Sequence, residues 1–259
     1  MNTSPTLIFI HGFRGTHHGL SLIAAHFSGH DVFVPDLPGF GDGPSSELYN
    51  LENYVAWLHG YIAAHRGERT VLIGHSFGSI VAAAFAAAHP QMIDRLVLIN
   101  PIGAPALEGP RGILSKLAVG YYWVGKRLPA GAGKAWLSSR ASVQVMSSVM
   151  AKTKDKALRR YIHDQHHRYF SQFHSADSVY QGFLTSISHS VRDVAPKIST
   201  PTLLIAGEKD DITPIEKQKE LLALFSHASM VVIPNVGHLT HYETPDQVAK
   251  AIQSFIKDA

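Results

Sequence analysis

The chain has no cysteine among its 259 residues, which excludes disulfides, thiolate metal sites and a thiol nucleophile. That absence suits the cytosol. No apolar run approaches the ~20 residues needed to span a bilayer. Met1 to Pro5 leads straight into an apolar run, without the basic n-region and separate h-region of an export signal. These absences together predict a soluble, cytoplasmic protein. Nucleotide-phosphate cradles are missing too, since neither G-x-G-x-x-G nor G-x-x-x-x-G-K-[ST] occurs, and no nucleic-acid-binding module is present. No cofactor and no nucleic-acid partner are therefore expected. What remains is ordinary for a globular enzyme: 45% apolar and 17% charged residues, in a length that fits one domain with an insertion.

The most informative stretch is Gly74-His75-Ser76-Phe77-Gly78. Before it, Arg69 to Ile73 reads as a short buried strand; after it, Ser79 to Ala88 reads as an alanine-rich helix stopped by His89-Pro90. Strand, G-x-S-x-G and helix make a nucleophile elbow, in which a strained turn exposes the serine oxygen. Glycine is needed on both sides because strand and helix pass too close to leave room for Cβ atoms.

A serine alone is a poor nucleophile and needs a base, an orienting acid and an oxyanion site. The base candidate is His238, where the strand-like run Val231 to Ile233 ends in a loop containing Gly237. His241 is its rival but lacks a preceding glycine. An acid lies after the run Thr202 to Ala206, where Asp210 and Asp211 are adjacent. The backbone N–H groups of Phe77 and of Phe13, in His11-Gly12-Phe13-Arg14-Gly15, are the oxyanion-hole candidates.

Apolar runs near 6–10, 31–35, 70–74, 95–100, 202–206 and 230–233 read as strands. Helical patterns lie between them, near 17–27, 51–65, 78–88, 215–225 and 245–257. Such alternation predicts an α/β fold with a mostly parallel sheet of six strands, covered on both faces. From Pro101 to about Ser190 helical patterns dominate, at Gly112–Leu128, Ala135–Met150, Lys154–Phe173 and Ala176–Ser190, with Pro129 to Gly133 as a separating loop.

With these motifs in order, the chain resembles the α/β-hydrolase fold superfamily, of the lipase/esterase-like kind. Asp36-Leu37-Pro38-Gly39-Phe40-Gly41 is similar to that family's D-x-x-G-x-G turn. The resemblance implies a core of residues 1–103 and 191–259, with a helical cap at 104–190 over the active site. It also implies a Ser76, Asp210, His238 triad, because the family's G-x-x-D pattern counts from Gly207 to Asp210. Some relatives place the acid after the preceding strand, but here that position is Asn100, which carries no charge. A serine in place of the aspartate nucleophile of epoxide hydrolases and dehalogenases points to acyl transfer. The expected activity is hydrolysis of a carboxylic ester with an apolar portion. Thioester, lactone or C–C bond hydrolysis and acyl transfer share the triad, and a ligand-binding receptor of the same fold is the alternative of another class.

Residues 104–190 hold twelve Lys and Arg against four Asp and Glu, whereas the rest hold eleven against sixteen. The plain reading is a solvated basic surface; the sharper one is weak contact with anionic lipid, since Leu117, Tyr121, Trp123 and Val124 stand beside Lys116, Lys126 and Arg127. Histidine is frequent, and His163, His166, His167 and His174 fall on one helical stretch. His163 and His167 have the spacing of a metal pair, but H-E-x-x-H is absent. A solvated face that gains charge in mild acid is expected there instead.

Overall fold

The computed structural model describes residues 4–104 and 112–257. In chain order its elements are β1 (Thr6–Ile10), α1 (Ser21–Ala24), β2 (Val32–Phe33), α2 (Leu51–His65), β3 (Thr70–His75), α3 (Phe77–Ala88) and β4 (Arg95–Ile99). There follow α4 (Gly112–Arg127), α5 (Ala130–Leu137), α6 (Arg140–Met150), α7 (Lys156–Tyr169) and α8 (Ala176–Ser188). The chain then continues through β5 (Thr202–Gly207), α9 (Ile215–Leu222), β6 (Ala228–Ile233), α10 (Thr240–Glu243) and α11 (Pro245–Lys257).

The strands form one six-stranded sheet in the order β2-β1-β3-β4-β5-β6, and every pairing is parallel. Alternate residues of each strand face opposite sides. Leu7, Phe9, Ile73, Val97 and Ile205 pack with Ile23, Val248 and Ile252 on one face. On the other, Ile8, Ile10, Leu72, Leu98 and Leu204 pack with Leu58, Ile80 and Val81. This two-sided burial explains why the strands read as continuous apolar runs. Parallel pairing also puts the carboxyl ends of all strands at one edge, where sheets of this kind build their sites.

Four local expectations change. β2 is only two residues long, because Pro35 lacks the N–H that a longer strand would use. The stretch predicted as one helix over 17–27 is a 3₁₀ turn, a single α-turn and a second 3₁₀ turn. The supposed loop Pro129 to Gly133 is mostly helix: Pro129 caps α5, which contains Gly131 and Gly133. A Cβ at Gly133 would lie 2.2 Å from the Gly125 carbonyl oxygen, so this glycine serves the close crossing of α5 on α4. The predicted helix Ala135–Met150 is accordingly two helices, divided where Ser139 caps α6 and accepts a hydrogen bond from Ser142 N–H.

The segment from α4 to α8 is stitched to the turn at 36–43. Phe40 and Phe173 form an antiparallel bridge, Gly41 N–H donates to the Gln172 carbonyl at 2.6 Å, and His174 N–H donates to Gly39 at 3.0 Å. α8 also reaches the core, with Thr185 Oγ1 donating to the Tyr49 carbonyl at 2.8 Å. Among the described residues no helix is long and apolar enough to cross a membrane.

Candidate active site

Ser76 stands between β3 and α3 with φ 52° and ψ −118°, a conformation that strains any residue with a Cβ. Its N–H donates to the Ile99 carbonyl at 3.0 Å, which ties the turn to β4. The flanking glycines are required by contact: a Cβ at Gly74 would lie 2.4 Å from the Gly78 carbonyl oxygen, and one at Gly78 would lie 2.3 Å from that of Ile10.

The loops after β5 and β6 converge on this turn. His238 Nε2 lies 2.8 Å from Ser76 Oγ, and His238 Nδ1 lies 2.7 Å from Asp210 Oδ2. Their approach depends on Gly207, where a Cβ would sit 2.4 Å from the Gly237 carbonyl oxygen. Asp211 faces outward and pairs with Lys152 instead. His241 is buried, with its ring 4.2 Å from that of His75.

Asp210 is buried and richly held. Its Oδ1 accepts from the N–H groups of Ile212 at 2.7 Å and Thr213 at 3.0 Å; its Oδ2 accepts from Thr213 Oγ1 at 2.5 Å. Burial by itself would raise its pKa, but the attraction of His238 and the hydrogen bonds from His238 and Thr213 override that and hold the carboxylate ionised. His75 behaves oppositely: burial, reinforced by neighbouring His238, pushes its pKa down to about 3. His75 thus stays neutral.

Asn100 is the site residue that sequence reasoning undervalued. Its Nδ2 donates to Asp210 Oδ2 at 2.7 Å, while its Oδ1 accepts from Thr240 Oγ1 at 2.6 Å. It sits at the end of β4 in a left-handed conformation, φ 46°. Its position after a strand was visible; its contact across to the next strand was not.

The loop after β1 passes close to the serine, since a Cβ at Gly12 would lie 3.2 Å from Ser76 Cβ. Gly15 N–H donates to the Gly12 carbonyl at 2.9 Å, closing a turn over Phe13 and Arg14. Among the described residues no backbone acceptor pairs with the N–H of Phe13 or of Phe77. His11 holds the loop in place: its Nδ1–H donates to the Gly12 carbonyl at 2.8 Å, and its Nε2 accepts from Leu37 N–H at 2.9 Å. Burial lowers its pKa, consistent with that neutral tautomer.

The histidines of α7 depart from expectation. His166 is fully buried, and burial, with His163, His167 and Arg14 nearby, pushes its pKa down to about 3. His163 Nδ1 lies 2.6 Å from Ser147 Oγ and His167 Nε2 lies 2.8 Å from Gln144 Oε1, so both are engaged with α6. The helix uses these rings to pack, and a solvated face that charges in mild acid is incorrect for His166. Elsewhere His17, Asp36 and Asp42 have metal-compatible spacing. Asp36 is already occupied, however, accepting from His17 N–H at 2.5 Å and Asp42 N–H at 2.8 Å.

A sequence model of the alpha/beta hydrolase fold family matches residues 5–245. The chain belongs to this family. Within the alpha/beta hydrolases it is 26% identical to a pimeloyl-(acyl-carrier protein) methyl ester esterase of Aeromonas hydrophila, over 97% of this chain and 95% of that one. It is 26% identical to an sn-1-specific diacylglycerol lipase of Mus musculus, over 98% and 81% respectively. An alpha/beta hydrolase enzyme from a Medee basin deep-sea metagenome shares the fold with TM-score 0.80 at 23% identity, covering 98% of this chain and 90% of that one. Fold and relatives together support a carboxylic ester hydrolase.

Proposed function

We propose that this alpha/beta hydrolase cleaves carboxylic esters through Ser76, His238 and Asp210, with an acyl-enzyme intermediate. The observation that carries this reading is the continuous pair of contacts, 2.8 Å from Ser76 Oγ to His238 Nε2 and 2.7 Å from His238 Nδ1 to Asp210 Oδ2. Ser76 Oγ attacks the ester carbonyl while His238 Nε2 takes its proton. Asp210 holds the ring in the tautomer that leaves Nε2 free, then stabilises the imidazolium. The negative charge on the carbonyl oxygen is received by the N–H groups of Phe13 and Phe77. His238 returns the proton to the departing alcohol, and a water molecule repeats the sequence on the acyl-enzyme.

The substrate we propose has an apolar portion. The Phe13 ring stands 6.4 Å from Phe77, 5.7 Å from Tyr122 and 5.7 Å from Phe183, and an aliphatic or aromatic chain suits such a surround. Residues 104–190 act as its cap, contributing Tyr122 and Phe183. A panel of nitrophenyl esters of increasing acyl length, run with a fluorophosphonate label and Ser76→Ala, tests the reading. Turnover and labelling should both vanish in Ser76→Ala; turnover that survives the substitution rejects the mechanism. Thioester and lactone substrates in the same panel separate the neighbouring chemistries.

The cap also carries exposed Leu117 (66%), Trp123 (45%) and Trp136 (46%) beside exposed Lys116, Arg127 and Lys134. This pattern favours weak contact with anionic lipid. Flotation with phosphatidylglycerol vesicles should exceed flotation with phosphatidylcholine alone, and equal recovery rejects the contact.

A further inference from the structure

Arg14 follows the oxyanion-loop residue Phe13 and is among the most deeply buried large side chains, only 2% exposed. Among the described residues its polar contacts include no carboxylate. Nε donates to the Phe170 carbonyl at 2.9 Å and Nη2 to the Leu137 carbonyl at 2.8 Å. Nη1 points to Tyr122 Oη at 3.4 Å and Met146 Sδ at 3.8 Å. The guanidinium also lies 5.9 Å from the Phe170 ring centre and 5.4 Å from that of Phe173.

Burying a cation without an anion is costly, so the two carbonyls matter. Leu137 is the last residue of α5, and Phe170 is the cap just beyond α7. Helix carboxyl ends carry unpaired carbonyls and partial negative charge. Two such ends, with two aromatic faces, stand in for a carboxylate. One side chain of the oxyanion loop thereby touches α4, α5, α6 and the end of α7.

Its backbone is also telling. Arg14 has φ 59°, in the third position of the turn closed by Gly12 and Gly15, where glycine is the unstrained choice. An arginine there is held against its own preference by what its side chain grips.

We propose that Arg14 is a positioning residue for ester hydrolysis: its grip on α4 to α7 fixes the turn that aims the Phe13 N–H at the oxyanion. This inference rests on the hydrolase reading given above. It makes the oxyanion site dependent on the helical segment, although that segment supplies no donor to it. Among its hydrogen-bond partners Arg14 meets the proposed substrate surround only at Tyr122, and its other donors go to Phe170, Met146 and Leu137.

The test compares Arg14→Ala and Arg14→Lys with the unaltered protein on nitrophenyl butyrate, rates being normalised to the folded fraction by circular dichroism. Losing an oxyanion donor outright costs roughly 10²–10³ in kcat. A misaimed donor should cost about 10- to 100-fold in Arg14→Ala, with KM changed less than about threefold. Inhibition by a boronic acid, whose adduct occupies the oxyanion site, should weaken in parallel with kcat. Millimolar guanidinium chloride, against potassium chloride as control, should restore part of the kcat of Arg14→Ala by filling the vacated space. Should Arg14→Ala not fold, Arg14→Lys carries the same comparison, since it keeps the charge and loses the fork. Normal kcat and boronate affinity in the folded variant overturn the proposal. So does a loss of rate that only tracks the loss of folded protein. If the unaltered protein neither turns over esters nor labels at Ser76, the hydrolase reading itself has failed, a result distinct from either.

Discussion

Asn100 donates a hydrogen bond of 2.7 Å to Asp210 from the end of the neighbouring strand. The two residues thus meet at the position where related chains can place the acid, and this one places an amide. A neutral donor there stabilises the ionised carboxylate without competing for its negative charge.

Replacing Asn100 by aspartate should turn that support into repulsion. Two carboxylates at hydrogen-bond distance share one proton, and the second ionisation moves upward. The folded Asn100→Asp protein then binds more protons than its unfolded chain above about pH 4, the ordinary carboxylate pKa. Its melting temperature should therefore fall relative to the unaltered protein as pH rises from about 5 to 8. A constant difference across that range, measured by calorimetry, contradicts the prediction.

Asp210→Asn should lower kcat by about 10³- to 10⁴-fold, because an amide cannot hold the tautomer or stabilise the imidazolium. Asp211→Asn, whose residue faces Lys152 at the surface, should stay within about twofold, since exposed ion pairs contribute little. Steady-state rates on a short-chain nitrophenyl ester decide between the neighbours, and the reverse pattern would unseat Asp210.

Acid should unfold the protein partly through His166. Folded, this histidine has its pKa pushed down to about 3 from an ordinary 6.5. Between those values the unfolded chain takes up the proton and the folded chain does not, so stability is fully present above pH 6.5 and is lost as pH falls. His166→Gln should flatten the slope of unfolding free energy against pH by about 1.4 kcal/mol per unit between about pH 4 and 6. Urea unfolding at a series of pH values measures this; an unchanged slope contradicts it.

Gly131 and Gly133, two residues apart on opposite faces of α5, should respond in opposite directions. Gly133→Ala meets the Gly125 carbonyl oxygen at 2.2 Å and should cost about 1–3 kcal/mol by overpacking. Gly131 has nothing within 4 Å of a Cβ, so Gly131→Ala should be neutral or gain about 0.5–1 kcal/mol from helix propensity. Thermal melts of the two variants make the comparison; equal shifts would show that the α4–α5 crossing relaxes freely.

Much of the architecture was legible because it rests on local pattern. Apolar runs such as Leu7 to Ile10 are buried on both faces and announce a parallel sheet, and Gly74 and Gly78 mark a close crossing by being glycine. What was hidden depends on contacts between distant segments. Asn100 reads as a missing charge until β5 brings Asp210 beside it. Arg14 reads as a loop cation, because nothing local reveals that two helix ends converge on it. Pro129 to Gly133 resembles a turn by composition, yet Gly133 is there for Gly125 on another helix. His166 misled for the same reason: its polarity suggests water, while Ser147 of α6 and Tyr242 of α10 cover it.

The bridge between Phe40 and Phe173, with the flanking bonds from Gly41 to Gln172 and from His174 to Gly39, bears on recombination among such enzymes. The helical segment looks like one continuous insert between β4 and β5, cut out at two points. Beyond its two junctions, however, it is bonded through its backbone to a turn more than sixty residues upstream of its start. A chimera that exchanges the insert alone severs that seam. Exchanging the 36–43 turn together with it keeps donor and recipient matched along their shared edge, so the transferable unit is discontinuous in sequence.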